Sequence, residues 1–204
     1  MSPSGNDIEQ VLAYWLGKCS ADGAVDPSRR RMWFGNGRRY DAVIRARFGS
    51  LHERAANGEL AGEWSQSAHG RLAKIILLDQ FSRHIYRGKA GAYAQDEVAQ
   101  QLAADGVAYG ADLELIPAGR VFFYLPFEHA EDFELQRLSV RSFERLAAEV
   151  APSHRKEYDG YTDYARRHRD IIERFGRFPH RNAILGRTST SEEIEFLKQH
   201  GSAF

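Results

Sequence analysis

Leu72-Ala73-Lys74-Ile75-Ile76-Leu77-Leu78-Asp79-Gln80-Phe81-Ser82-Arg83-His84-Ile85 is the stretch from which the fold can be read. Leu72, Ile75, Ile76, Leu77, Leu78, Phe81 and Ile85 follow helical spacing and leave almost no polar side between Leu72 and Leu78. A helix that is apolar all round must be covered by neighbours, so this one is expected at the centre. Ser67 is placed to cap its start, and Gly88 follows its end. Its polar residues come late. Asp79 and Arg83 are four apart, as are Gln80 and His84, so each pair shares a face.

Helical patterns continue on both sides of this stretch. Towards the N-terminus, Val43, Ile44, Phe48 and Leu51 mark a helix from Tyr40 to near Gly58. Ile8, Val11, Leu12, Trp15 and Leu16 mark another, with Asn6 and Glu9 as a capping pair and Gly17 as its stop. Residues 18–37 between them are irregular. Within them, Arg29-Arg30-Arg31-Met32-Trp33-Phe34 reads as a short helical turn that buries Trp33 and Phe34 and leaves its arginines in water. Towards the C-terminus, an alanine-rich helix occupies residues 92–109 and is ended by the Gly106 and Gly110 region. Pro117 starts a further segment, and a long helix runs from about Ala130 to Val150. Residues 154–175 form another helix, stopped by Gly176. Thr190-Ser191-Glu192-Glu193 is a capping box that opens a last helix, Ile194 to His200. No stretch alternates with period two between turns. The expectation is an all-α chain of seven to eight or more helices, without a sheet, forming one domain over residues 1–204. Antiparallel helix pairs are the economical way to pack it, although no 34-residue repeat is visible.

Composition limits the function classes. The 204 residues are 43% hydrophobic and 27% charged, as in an ordinary folded protein. Twenty-eight basic and 28 acidic residues give zero formal net charge, which argues against a nucleic-acid coat. Cys19 is the one cysteine, so neither an internal disulfide nor a cysteine-rich metal site can form. No signal peptide and no span of 18 apolar residues is visible, so a membrane role is not expected and the cytoplasm is the default setting.

Three segments place ionisable groups where the pattern predicts burial. One is Asp79 to His84. The second runs from Arg120 through Phe122-Phe123-Tyr124-Leu125-Pro126-Phe127-Glu128-His129-Ala130-Glu131-Asp132. Here Pro126 is expected to break or kink the chain and sit in the first turn of the next helix, placing Glu128, Glu131 and Asp132 at its favourable N-terminal end. Glu128 with Asp132, and His129 with Asp132, have spacings at which ligands can converge on a metal. No ligand motif accompanies them, so no metal or cofactor is assigned. The third segment joins His168, on an apolar helix stripe, to Arg177-Phe178-Pro179-His180-Arg181-Asn182. From Arg166 to Arg187 there are seven arginines and two histidines against two acids. His180, Arg181 and Asn182 lie in a loop held by Phe178, Pro179, Ile184 and Leu185, and arginine donors match carboxylate and phosphate. A solvated basic face is the competing reading.

Val11 to Trp15, Ile76 to Arg83, Phe122 to Asp132, Arg174 to Asn182 and Thr188 to Glu193 together resemble a bacterial family known as domain of unknown function 924. The resemblance covers essentially the whole chain and implies a TPR-like all-helical fold in a cytoplasmic bacterial protein. It brings no activity, substrate or catalytic residue. Phosphate-cradling, dinucleotide and nucleophile-elbow motifs are all missing. The leading expectation is a binding module for a small anion or peptide terminus, drawing on Asp79, Arg83, Arg120, Glu128, His129, Asp132, His168, His180, Arg181 and Asn182. The alternatives are a hydrolase using a His/carboxylate or metal site, and a scaffold whose buried polar residues are architectural.

Overall fold

The computed structural model describes residues 3–35 and 37–202. Met1 and Ser2, at the start of the stretch read for a signal peptide, lie outside them. Among the described residues there are helices and turns but no strand. The helices are α1 (Pro3–Leu16), α2 (Pro27–Phe34), α3 (Asp41–Ala56), α4 (Glu63–Gln66), α5 (Ala68–Ile75), α6 (Ser82–Ile85), α7 (Asp96–Ala108), α8 (Pro117–Glu128), α9 (Phe133–Glu149), α10 (Arg155–Phe175) and α11 (Ser191–Leu197). None of them is long and apolar enough to cross a membrane.

The central rod starts where the sequence places it. Ser67 caps α5, its hydroxyl accepting from the Gly70 N–H at 2.9 Å. Ile75, Ile76, Leu77 and Leu78 are wholly buried. A π-helical turn, Ile76–Phe81, then joins α5 to α6, which no periodicity announced. Side chains of the next turn bond back into it: the Ser82 hydroxyl donates to the Leu78 carbonyl at 2.5 Å, and Arg83 to the Asp79 carbonyl at 2.8 Å. The wider turn delivers Asp79, fully buried, towards the α8 end.

Helix α8 is as central as α5, with every residue from Ala118 to Glu128 buried. Trp15 of α1 ties the two together, its ring 5.4 Å from both Phe81 and Phe122. Gly106 lets α7 close on α8: a Cβ there would meet the Phe123 ring at 2.4 Å. Gly106 therefore lies inside α7 rather than ending it, and the turn falls to Gly110, whose φ of 75° suits glycine. Helices α9 and α10 are joined by residues 150–154 and pack along one another. Gly176, at φ 68°, stops α10, and the Thr190–Glu193 capping box is formed in full.

Other expectations need correction. Asn6 lies inside α1, because Pro3, suited to a first turn, starts the helix earlier. Phe34 is 52% exposed; Met32 takes the buried position instead. Leu185 is also partly exposed, so Phe178 and Pro179 do more of the holding in the basic loop. The last helix ends at Leu197. The largest correction concerns Pro126. It does not break the chain but sits inside α8, where the missing N–H removes one hydrogen bond near the helix end. Gln136 stabilises that end, donating to the Glu128 carbonyl at 2.7 Å and the Ala130 carbonyl at 2.8 Å. Glu128 thus terminates α8 rather than opening α9, and Asp132 is the N-cap of α9, accepting from the Leu135 N–H at 2.8 Å.

Candidate functional site

The π-turn, the C-terminal end of α8, the His168 face of α10 and the Pro179–Arg181 3-10 turn meet around a cavity of about 530 Å³. That is the size of an ordinary small-molecule pocket. Arg83, Glu128, His129, His168, His180 and Arg181 line it. Asp79 lies beneath, fully buried. Seven of the ten expected residues therefore stand together.

Asp79 orients this group. His129 Nδ1 lies 2.8 Å from Asp79 Oδ1, and Arg83 lies 2.9 Å from the same oxygen. Burial opposes ionisation of Asp79, but Arg83, His129 and Gln80 hold the carboxyl well below the usual range. A carboxylate only accepts, so the proton of the His129–Asp79 bond belongs to Nδ1, leaving Nε2 as the basic nitrogen. Burial first, and then Arg83, push the His129 imidazole below its ordinary value against the pull of Asp79. His129 is therefore neutral near pH 7, with a fixed tautomer.

Glu128, the neighbouring residue, behaves oppositely. Burial, then the Asp79 charge, push its carboxyl up to about 8. Its place at the C-terminal end of α8 offers no help from the helix dipole. His168 lies 3.4 Å from the Glu128 carboxyl, and its Nδ1–H donates to the Tyr164 carbonyl at 2.9 Å. Burial lowers His168 to about 3 and His180 to about 4. Near neutral pH His129, His168 and His180 thus stand uncharged on the cavity wall beside a protonated Glu128 carboxyl.

The cations nearest Asp79 are Arg83 and Arg181. Arg83 grips Asp96 with two hydrogen bonds, of 3.0 and 3.1 Å. Arg181 reaches the same carboxylate at 3.4 Å and the His129 carbonyl at 3.1 Å, both through Nη1. Its guanidinium stacks on the rings of Phe178, at 4.4 Å, and Tyr93, at 4.7 Å. Arg181 Nε is buried with no hydrogen-bond partner among the described residues. Burial, then Arg83, lower the Arg181 pKa from its ordinary value, but a guanidinium keeps its proton. At the rim, Arg87 and His84 both bind Asp41.

Three expected residues do not join. Arg120 lies in a separate buried cluster, bonded to Glu149 and the Tyr124 hydroxyl, which in turn donates to Asp112. Asp132 is exposed and used up as a helix cap. Asn182 is a tie within the loop, donating to Ser189 Oγ at 3.0 Å and accepting from Arg187 at 3.0 Å. The basic segment around it is not simply a solvated face. Arg187 pairs with Glu131, and Arg177 with Glu193. Among the described residues no three His, Cys, Asp or Glu side chains are grouped to hold a metal ion. The reading of the sequence missed Asp96, which joins the two arginines, and Tyr93, which stacks on both. Both are isolated in an alanine-rich stretch, where no spacing connects them to residues 85 positions away.

A family model described as "Bacterial protein of unknown function (DUF924)" matches residues 11–201. A solved structure of a protein of unknown function from Agrobacterium tumefaciens is similar at a TM-score of 0.80 and 36% identity. The match covers 96% of this chain and 98% of that one. No curated protein matches. The chain belongs to this bacterial family of unknown function.

Proposed function

We propose that the chain is a one-domain, TPR-like cytoplasmic module that binds a small anionic ligand, or a peptide terminus, in the cavity between Arg83 and Arg181. The observation that carries this reading is Arg181. It is nearly buried on the cavity wall and held in place by two rings, yet its Nε–H has no partner among the described residues. Arg120 Nη2 also lacks a partner among the described residues, so the weight falls on place: Arg181 lines an open cavity, where a carboxylate or phosphate is the natural complement of a guanidinium. The scaffold alternative accounts for Arg120 and Asn182 but not for so many titratable groups around one open volume. Ligand binding to the folded state raises its apparent stability. A thermal-shift screen of acetate, phosphate, sulfate and acidic peptides is therefore expected to give a stabilising hit that disappears in Arg181→Ala. An unchanged shift in that variant contradicts the assignment.

The Asp79–His129 bond favours a second reading, acid–base catalysis. His129 Nε2 would act as the base and protonated Glu128 as the acid, two groups whose environments drive their pKa values apart. Hydrolysis is the simplest such reaction. Turnover of ester or phosphate-ester substrates that is lost in both His129→Gln and Glu128→Gln supports it; turnover that survives either change removes it.

A further inference from the structure

A second cavity, of about 370 Å³, opens beside the first. The two share Phe34, Leu125, Glu128 and Tyr164 as lining, so they meet along one wall rather than lying on separate faces. Their chemistry differs. The floor of the second chamber is Val121, Leu125 and Phe143, all buried side chains of α8 and α9. Two large rings, Phe34 and Tyr164, stand half exposed on the shared wall, where an isolated fold gains nothing from their exposure. Its charged lining residues are Arg31 and the pair Arg30 and Glu157, which bind each other at 2.6 Å.

Gly160 supplies an independent observation. It lies within the 21-residue helix α10 and lines the second chamber. Glycine in a helix interior disfavours the helix. No close approach requires it: a Cβ at Gly160 would meet no atom within 4 Å. A large side chain in its place would project into this space.

The geometry points to an amphiphilic ligand, a carboxylic acid whose head lies at Arg83 and Arg181 and whose apolar chain passes Glu128 into the chamber floored by Val121, Leu125 and Phe143. This deepens the anion-binding reading and rests on it. A buried but uncharged Glu128 suits the junction, since a carboxylate there would stand against the chain.

Titration calorimetry with acetate, butyrate, hexanoate and octanoate tests the inference near pH 6.5. While the chain enters the chamber, each added methylene is expected to tighten binding about fourfold. Gly160→Phe, which fills the chamber, is expected to abolish that gain while leaving acetate affinity within about twofold, which also shows that the variant is folded. Arg181→Gln is expected to weaken every member of the series. If acetate and octanoate bind alike, the chamber proposal is overturned and the anion site stands. If the gain survives in Gly160→Phe, the chain lies elsewhere and the proposal fails. If Arg181→Gln binds octanoate as the wild type does, head and tail sites do not form one ligand site. If no member binds, the anion reading falls and this inference with it.

Discussion

At the scale of single residues, Glu128 and His129 show how environment assigns opposite states to neighbours. Folding keeps the Glu128 proton up to about pH 8, whereas the unfolded chain releases it near 4.5. Between those values the folded state binds the extra proton, so stability falls as pH rises, by at most about 1.4 kcal/mol per pH unit. His168 and His180 act at lower pH. Their folded values, about 3 and about 4, lie below the ordinary 6.5, so the unfolded state binds the extra protons and stability falls as pH drops below 6.5. Glu128→Gln, which keeps the shape and removes the titration, is expected to raise the urea midpoint at pH 8 and leave it nearly unchanged at pH 4.5. Equal midpoints for variant and wild type at pH 8 would mean that Glu128 is ionised in the fold. Asp79→Asn is expected to destabilise by about 3–5 kcal/mol, because a buried ionic partner of Arg83 and His129 is removed. Urea titration, with the His129 ring tautomer followed by NMR, checks both consequences.

Helices and turns were legible to different depths. Local chemistry that depends on a few neighbours was plain in the sequence: the Ser67 cap, the Gly176 stop and the Thr190–Glu193 box all form. Pro126 was misread because the rule that proline breaks helices describes backbone alone. Here Gln136, eight residues beyond Glu128, bonds the carbonyls at the helix end. The π-turn was invisible because one extra residue hardly disturbs a pattern that is apolar on every side. For the site, the titratable residues could be named from their surroundings, but Asp96 and Tyr93 could not, since only tertiary packing joins α7 and its approach to Arg181. Two helix glycines separate packing from propensity. Gly160→Ala is expected to stabilise by about 0.5–1 kcal/mol, because its Cβ points into open space. Gly106→Ala is expected to destabilise by about 1–3 kcal/mol, because its Cβ would press on Phe123 and Arg71. Thermal or urea unfolding of the two variants checks the contrast, and the same sign for both would contradict this account of the helix packing.

In the molecule as a whole, buried polar groups divide into two kinds. The Arg120–Tyr124–Asp112–Arg145 cluster lies apart from the cavity, and Arg120 Nη2 is left without a hydrogen-bond partner among the described residues. The Asp79–His129–Arg83–Asp96–Arg181 network instead runs along an open cavity, which Arg83, His129 and Arg181 line. Helices far apart in sequence fix that network, so the fold acts as a rigid frame around it. Chemical-shift mapping of the backbone amides during a phosphate or acetate titration, at constant pH and ionic strength, tests this directly. The account predicts saturable shifts concentrated on residues 79–83, 93–96, 128–129 and 178–181. Non-saturating shifts spread over the exposed arginines at 166, 167 and 174, with residues 128–129 and 178–181 still, would contradict it.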